Sequence, residues 1–288
     1  MELISNYKNG NYTVKLYSDG TKIKETEADS FIAEFPDSID LKITNYCDLN
    51  CPMCHEKSNI DGKEGNLDSP FLESLPSGIE LAIGGGNPLS HSALLPFLEK
   101  MKKREIICNL TVNEKHLIKN KEFVQKLIDE KLIYGLGISA FEVFDETIAF
   151  ATKNQNSVLH LVAGDFENFE KIIDKNLKVL FLGYKKFGKG KNYFSLDILR
   201  NIEKTKKLIP RLISRFSRIS FDNLALSQLD IKRLLTDSEW DKMYMGDDGE
   251  GSMYIDLVEQ KFAKSSISTK RFSLKDDIKE MFLILKMK

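Results

Sequence analysis

Cys47-Asp48-Leu49-Asn50-Cys51-Pro52-Met53-Cys54-His55 places three cysteines in a single short stretch with C-x3-C-x2-C spacing. Three thiolates from one tight loop suit a metal cluster with a position left open. A four-iron, four-sulfur cluster ordinarily takes four thiolates, so three leave one iron free for a further ligand, as an open catalytic zinc site does. The same residues also allow a structural zinc reading, because Cys47, Cys51, Cys54 and His55 form a donor set that tetrahedral zinc accepts. Zinc motifs, however, usually come as two separated pairs. The fourth cysteine, Cys108, lies in the apolar run Ile106-Ile107-Cys108-Asn109-Leu110 and reads as a buried, inert thiol. Four cysteines in all, with no apolar leader at Met1-Glu2-Leu3-Ile4-Ser5-Asn6, point to a reducing, cytoplasmic setting.

The loop needs elements to hold it. Ile39-Asp40-Leu41-Lys42-Ile43-Thr44 alternates apolar and polar residues, as a short strand feeding the cysteines would. A second strand-like run, Ile79-Glu80-Leu81-Ala82-Ile83, ends in Gly84-Gly85-Gly86-Asn87-Pro88. Strand, loop and helix then repeat to about residue 191, with strands at 105–113, 133–139, 158–164 and 177–184, the apolar runs expected of parallel strands buried on both faces. Helices are expected at 115–131 and 166–174.

Cysteine loop and glycine stretch together resemble the radical S-adenosylmethionine family, in which a C-x3-C-x-aromatic-C loop follows the first strand and a Gly-Gly-Glu-Pro stretch ends the second. Met53 stands where the family usually has an aromatic residue, and Asn87 stands where it has a glutamate. The resemblance implies a partial (β/α)6 TIM-type barrel. It also implies a [4Fe-4S] cluster on Cys47, Cys51 and Cys54, with S-adenosyl-L-methionine held by Met53, Gly84, Gly85, Gly86, Asn87, Ser139, Val162, Gly183 and Tyr184. In such an enzyme an electron donor such as flavodoxin or ferredoxin drives reductive cleavage of the cofactor to methionine and a 5′-deoxyadenosyl radical, which takes a hydrogen atom from the substrate. Ser139, expected on the ribose hydroxyls, could instead cap a helix, and His160 reads as a packing residue.

Outside the core, Tyr12–Tyr17 and Thr21–Lys24 flank Ser18-Asp19-Gly20 as a β-hairpin. The expected divisions are an N-terminal hairpin cap over 1–36, a barrel core over 37–191, and a small α+β extension over 192–288 that completes the barrel and substrate pocket. The extension should hold a helix at 196–210, a strand at 218–225, a helix around Ile231, Leu234 and Leu235, a hairpin near 253–266 and a terminal helix at 274–285. Its layout weakly resembles the SPASM or twitch tail of peptide-modifying members, without its cysteines. That likeness favours a peptide or protein substrate over another small molecule. The acidic Gly246–Ser252 loop lacks the alternating spacing of an EF-hand.

Lys185-Lys186-Phe187-Gly188-Lys189-Gly190-Lys191 concentrates four lysines and could cradle a substrate anion or stand as a solvated basic loop. Gripping a triphosphate, it would suit a viperin-like, nucleotide-modifying enzyme instead. Asp222 and Asn223 are candidate substrate contacts or helix caps. A third reading is a binding protein stabilised by iron–sulfur or zinc that has lost catalysis. In 288 residues with 42% apolar content and net charge −1, nothing favours nucleic acid or a membrane span.

Overall fold

The computed structural model describes residues 2–287. Its main feature is an open ten-stranded sheet in the order β10-β9-β8-β7-β6-β5-β4-β11-β12-β13. The strands β4 (Ser38–Thr44), β5 (Glu80–Gly85), β6 (Ile107–Asn113), β7 (Gly135–Ser139), β8 (Ser157–Val162) and β9 (Lys178–Leu182) are the six parallel strands expected of a partial barrel. β10 (Arg218–Phe221) continues the parallel run beside β9, and β11 (Ser252–Asp256) pairs parallel with β4 on its other flank. β12 (Lys261–Ala263) and β13 (Phe272–Ser273) follow as antiparallel edge strands. The sheet does not close on itself.

Both faces of these strands were expected to be apolar, but only the outer one is so throughout, the inner one being mixed. Ile39, Leu41 and Ile43, Leu81 and Ile83, Leu110 and Val112, Ile138, Leu159 and Leu161, and Val179 and Phe181 are buried in one continuous core. The alternate positions carry Asp40 and Lys42, Ala82 and Gly84, Asn109 and Thr111, Gly137 and Ser139, then Val158, His160 and Val162, and Lys178, Leu180 and Leu182. Successive strand residues point to opposite sides, so this second set lines the inner face, where the cavity lies.

Other boundaries differ in instructive ways. The helix expected over 115–131 is two helices, Glu114–Lys119 and Lys121–Asp129, broken at Asn120. The helix at 166–174 shrinks to Phe169–Ile172. The helix Leu196–Leu212 carries Pro210 in its last turn. The strand expected through Ala225 stops at Phe221, because Asp222 accepts the Ala225 N–H and caps the helix Asn223–Gln228. The turn around Ile231 is a 3-10 helix, Ile231–Leu234, and the last helix is Ile278–Lys286.

The N-terminal hairpin has a third strand. β1 (Leu3–Asn9), β2 (Tyr12–Tyr17) and β3 (Lys22–Glu25) form a separate antiparallel sheet laid across the amino ends of the large sheet's strands. It touches them at Asp37 before β4, at Gly78 before β5 and Glu80 at its start, and at Asn156 and Lys178 around β8 and β9. Asp37, only 1% exposed, accepts from Asn9 Nδ2 and the Tyr12 hydroxyl, both at 2.8 Å, and pairs with Lys24 at 2.7 Å. A buried carboxylate is tolerated only with such partners, and removing it strips Lys24 and the Tyr12 hydroxyl of their acceptor, while Asn9 Nδ2 keeps the Phe35 carbonyl. Asp37→Ala is expected to lower the urea-unfolding free energy by about 3 kcal/mol. A loss below about 1 kcal/mol, the range of an exposed pair, would show that the small sheet is held by other contacts.

Candidate metal and cofactor site

The parallel strands leave the sheet along one edge, and the cysteine loop starts there, at the end of β4. Between Asn45 and Ser58 the chain has no helix or strand beyond isolated bridges, so its shape is set by its neighbours. The Cys47 N–H donates to the Asn59 carbonyl at 2.8 Å, and His116 Nε2 meets Asp48 Oδ1 at 2.6 Å. The lysine–glycine loop packs on the far side, where the Lys189 N–H donates to the Cys54 carbonyl at 3.0 Å. The Lys189 ammonium donates to Asn50 Oδ1 and the Ser58 carbonyl, both at 2.6 Å. Gly188, at φ +57, sits so close that a Cβ would lie 2.2 Å from the His55 carbonyl oxygen, an approach only glycine permits.

Cys47 is buried, Cys51 and Cys54 are half-buried, and none is in a disulfide. Burial pushes the Cys47 and Cys51 thiols up, so they stay protonated at neutral pH until a metal draws off the proton. The zinc reading requires Cys47, Cys51, Cys54 and His55 around one ion. Among the described residues, the donor atoms gathered within 4.8 Å of one another belong instead to Cys47, Asp48 and His116. A four-iron cluster takes each thiolate on a different iron, and three thiols spread along one loop fit that demand better than convergence on a point.

The glycine stretch closes the facing wall. The Gly86 N–H donates to the Thr44 carbonyl and the Asn87 N–H to the Tyr46 carbonyl, both at 2.7 Å, and a Cβ on Gly86 would lie 2.1 Å from the Tyr46 oxygen. Asn87 is 7% exposed, and its Oδ1 has no hydrogen-bond partner. A buried acceptor left unpaired is costly and marks a place for a donor.

A cleft of about 180 Å³ joins these parts. Of the residues singled out from sequence, Cys47, Cys51, Cys54, Met53, Gly85, Gly86, Ser139, Val162, Gly183, Tyr184 and Lys185 line it. Ser139 caps no helix, since the next one begins after Phe144. Gly84 and Asn87 lie just behind the wall. Asp222 serves the fold, accepting from the Gly183 and Ala225 N–H groups, while Asn223 donates to the Gly246 carbonyl and Asp248. Lys186 lies 3.5 Å from the centroid of the Phe194 ring. Of the lysine cluster, then, Lys185 faces the cleft, Lys186 covers an aromatic ring and Lys189 braces the cysteine loop.

Sequence reasoning missed Glu56, Ser58 and Phe141 as lining residues. Phe141 is positioned by Glu114, whose buried carboxylate accepts the Phe141, Glu142 and Val143 N–H groups at 2.7, 2.8 and 3.3 Å. An acid immediately after β6 was the available signal.

Charges on the inner face are arranged around Lys185, which donates to Ser266 Oγ at 3.0 Å and touches His55 Nε2 at 3.4 Å. Burial and the Lys185 cation both lower His55, and they take His160 down to about 4, so both rings are neutral at pH 7. The His160 ring lies over Gly137. Cys108 is buried, its thiol pushed up to about 12, in keeping with an inert role.

On the inner face Asp40 is exposed to the open cavity, yet the protein around it, helped by Asp248 and Asp222 against Lys185, pushes its carboxyl up to about 6. Between its ordinary 3.8 and about 6 the folded chain binds more protons than the unfolded one, so stability falls as pH rises through that window. Asp40→Asn, which cannot ionise, is expected to melt only slightly above wild type at pH 7, because solvent screens an exposed carboxylate, with the gap closing toward pH 4. A constant gap across that range would contradict this reading.

Fold and site together describe an open parallel α/β barrel with a thiol-bearing loop at its carboxyl edge. No family model and no curated protein sequence matches the chain significantly. Among solved structures, Streptococcus suis SuiB bound to its precursor peptide SuiA superposes with a TM-score of 0.59 at 17% identity, covering 87% of this chain and 65% of that one. SuiB bound to S-adenosylmethionine gives 0.58 at 16% identity, covering 84% and 64%, and a further SuiB structure gives 0.56 at 18%, covering 87% and 66%. The chain has the fold of SuiB over most of its own length and spans a little under two thirds of SuiB's.

Proposed function

We propose that this chain is a radical S-adenosylmethionine enzyme acting on a peptide or protein. The observation that carries the proposal is the gathering, around one cleft, of three free thiols on a single loop and the Gly85–Gly86 wall, with the unpartnered Asn87 acceptor next along the chain. In this reading Cys47, Cys51 and Cys54 hold a [4Fe-4S] cluster, and S-adenosyl-L-methionine lies against Met53, Gly85, Gly86, Ser139, Val162, Gly183 and Tyr184. Together, when bound, they supply one-electron cleavage of the cofactor and removal of a hydrogen atom from a substrate carbon. The chain's own work is to bind, orient and exclude water. Asn87 Oδ1 would accept from the cofactor's amino group, and the cleft walls would limit solvent at the reacting carbon. An external reductant of the flavodoxin or ferredoxin kind delivers the electron.

The peptide preference is supported by the likeness to SuiB, a protein that binds a precursor peptide. The nucleotide reading is weaker, because Lys186 and Lys189 are occupied elsewhere and Lys185 is left as a single ammonium facing the cleft, a poor match to a triphosphate.

After anaerobic reconstitution with iron and sulfide, then reduction with excess S-adenosylmethionine, wild type should accumulate 5′-deoxyadenosine and Cys51→Ala should not. Equal accumulation by both, or none by either, contradicts the assignment. Asn87→Ala should weaken equilibrium binding of S-adenosylmethionine by about tenfold or more, the worth of a hydrogen bond to a charged group. Asn87→Asp should bind at least as well as wild type. Unchanged affinity in the alanine variant would remove Asn87 from the site.

A further inference from the structure

Because β11 runs parallel beside β4, the C-terminal extension and the cysteine loop leave the sheet side by side. Glu56, two residues beyond Cys54, lies between them. Its two carboxylate oxygens accept from the Tyr254 hydroxyl at 3.0 Å, and one pairs with the Lys42 ammonium at 3.0 Å. Lys42, 4% exposed, is also 3.1 Å from Asp256, which is 0% exposed. Asp256 in turn accepts the Val258 and Glu259 N–H groups and stands 3.6 Å from Arg271. Arg271 lies over the Tyr254 ring, 5.2 Å from its centroid. A second link runs from Ser266 through Lys185 to His55.

Three residues of the extension, Tyr254, Asp256 and Ser266, thus reach the two residues that follow the third cysteine, directly or through one lysine, and Arg271 backs the first two. Buried ion pairs add little stability over an apolar filling of the same volume, yet breaking one is costly. Such a network therefore constrains geometry more than it stabilises the fold. What it constrains here is a loop with no regular structure of its own.

We infer that the C-terminal extension prepares the metal site, with Glu56, gripped by Tyr254 and the Lys42–Asp256–Arg271 chain, acting as a positioning residue that fixes the backbone carrying Cys54 before any metal arrives. The metal half of this statement rests on the function proposed above, and the backbone half does not.

Hydrogen exchange on the full-length, reduced, metal-free chain tests the backbone half. Tyr254→Phe and Glu56→Gln should each speed exchange across residues 46–58 by about tenfold, with β5 to β8 unchanged. The double variant should go no further than Glu56→Gln alone, because both act through one contact. Unchanged exchange, additive effects, or a uniform rise across the whole sheet would overturn the inference. For the metal half, reconstituted Tyr254→Phe should lose iron to a chelator several-fold faster than wild type, with an altered electron paramagnetic resonance spectrum of the reduced cluster. Wild-type iron retention and spectrum in that variant would overturn it. If wild type takes up no iron while the exchange pattern is as expected, the proposed function fails and the positioning role of Glu56 stands.

Discussion

A loop carrying three thiols and no regular structure must be shaped from outside, and the site depends on that constraint. Parallel pairing of β4 with β5 on one flank and β11 on the other brings three chain exits to one edge. The glycine stretch then approaches the loop's backbone from one side, the Lys185–Gly190 segment from another, and the C-terminal extension from a third. Tight contact of the first two requires glycine at Gly86 and Gly188, where any Cβ would strike a carbonyl of the loop.

The electrostatics divide into a satisfied part and an unsatisfied part. Lys42, Glu56, Asp256 and Arg271 neutralise one another beneath the loop. Burial alone would push the Glu56 carboxyl up, but its hydrogen bond to His55 and the charge of Lys42 overcome this and hold it well below the carboxylate range. With His55 itself neutral, Lys42 is the partner that matters at pH 7. The unsatisfied part lies in and around the cavity wall, in the free thiols, the lone Asn87 acceptor, and Lys185 with only a hydroxyl and a neutral ring as partners. A cavity wall with spare donors and acceptors is arranged for a ligand.

Much of the barrel was legible because each strand carries its own signal. Ile39–Thr44 alternates, Ile79–Ile83 ends in glycines, and the cysteine spacing names its chemistry locally. β1 was missed because Leu3–Asn9 lies on an exposed edge and buries only Ser5 and Asn9, both polar. The end of β10 was overrun because Asp222 turns the chain into a helix through a cap that apolar periodicity does not register. The lysine loop was ambiguous because its lysines do three different things, and spacing alone cannot separate them. The Glu56 clamp was invisible for a simpler reason: Tyr254 is 198 residues away in sequence, and Asp256 is 214 residues from Lys42.

The most direct test of the central claim is Mössbauer spectroscopy of the chain reconstituted with iron-57, before and after addition of S-adenosylmethionine. A loop with three thiolates predicts a four-iron cluster in which one iron alone shifts on adding the cofactor, since only that iron lacks a cysteine. A cluster whose irons all stay unchanged, or a chain that takes zinc in place of iron, would contradict the account.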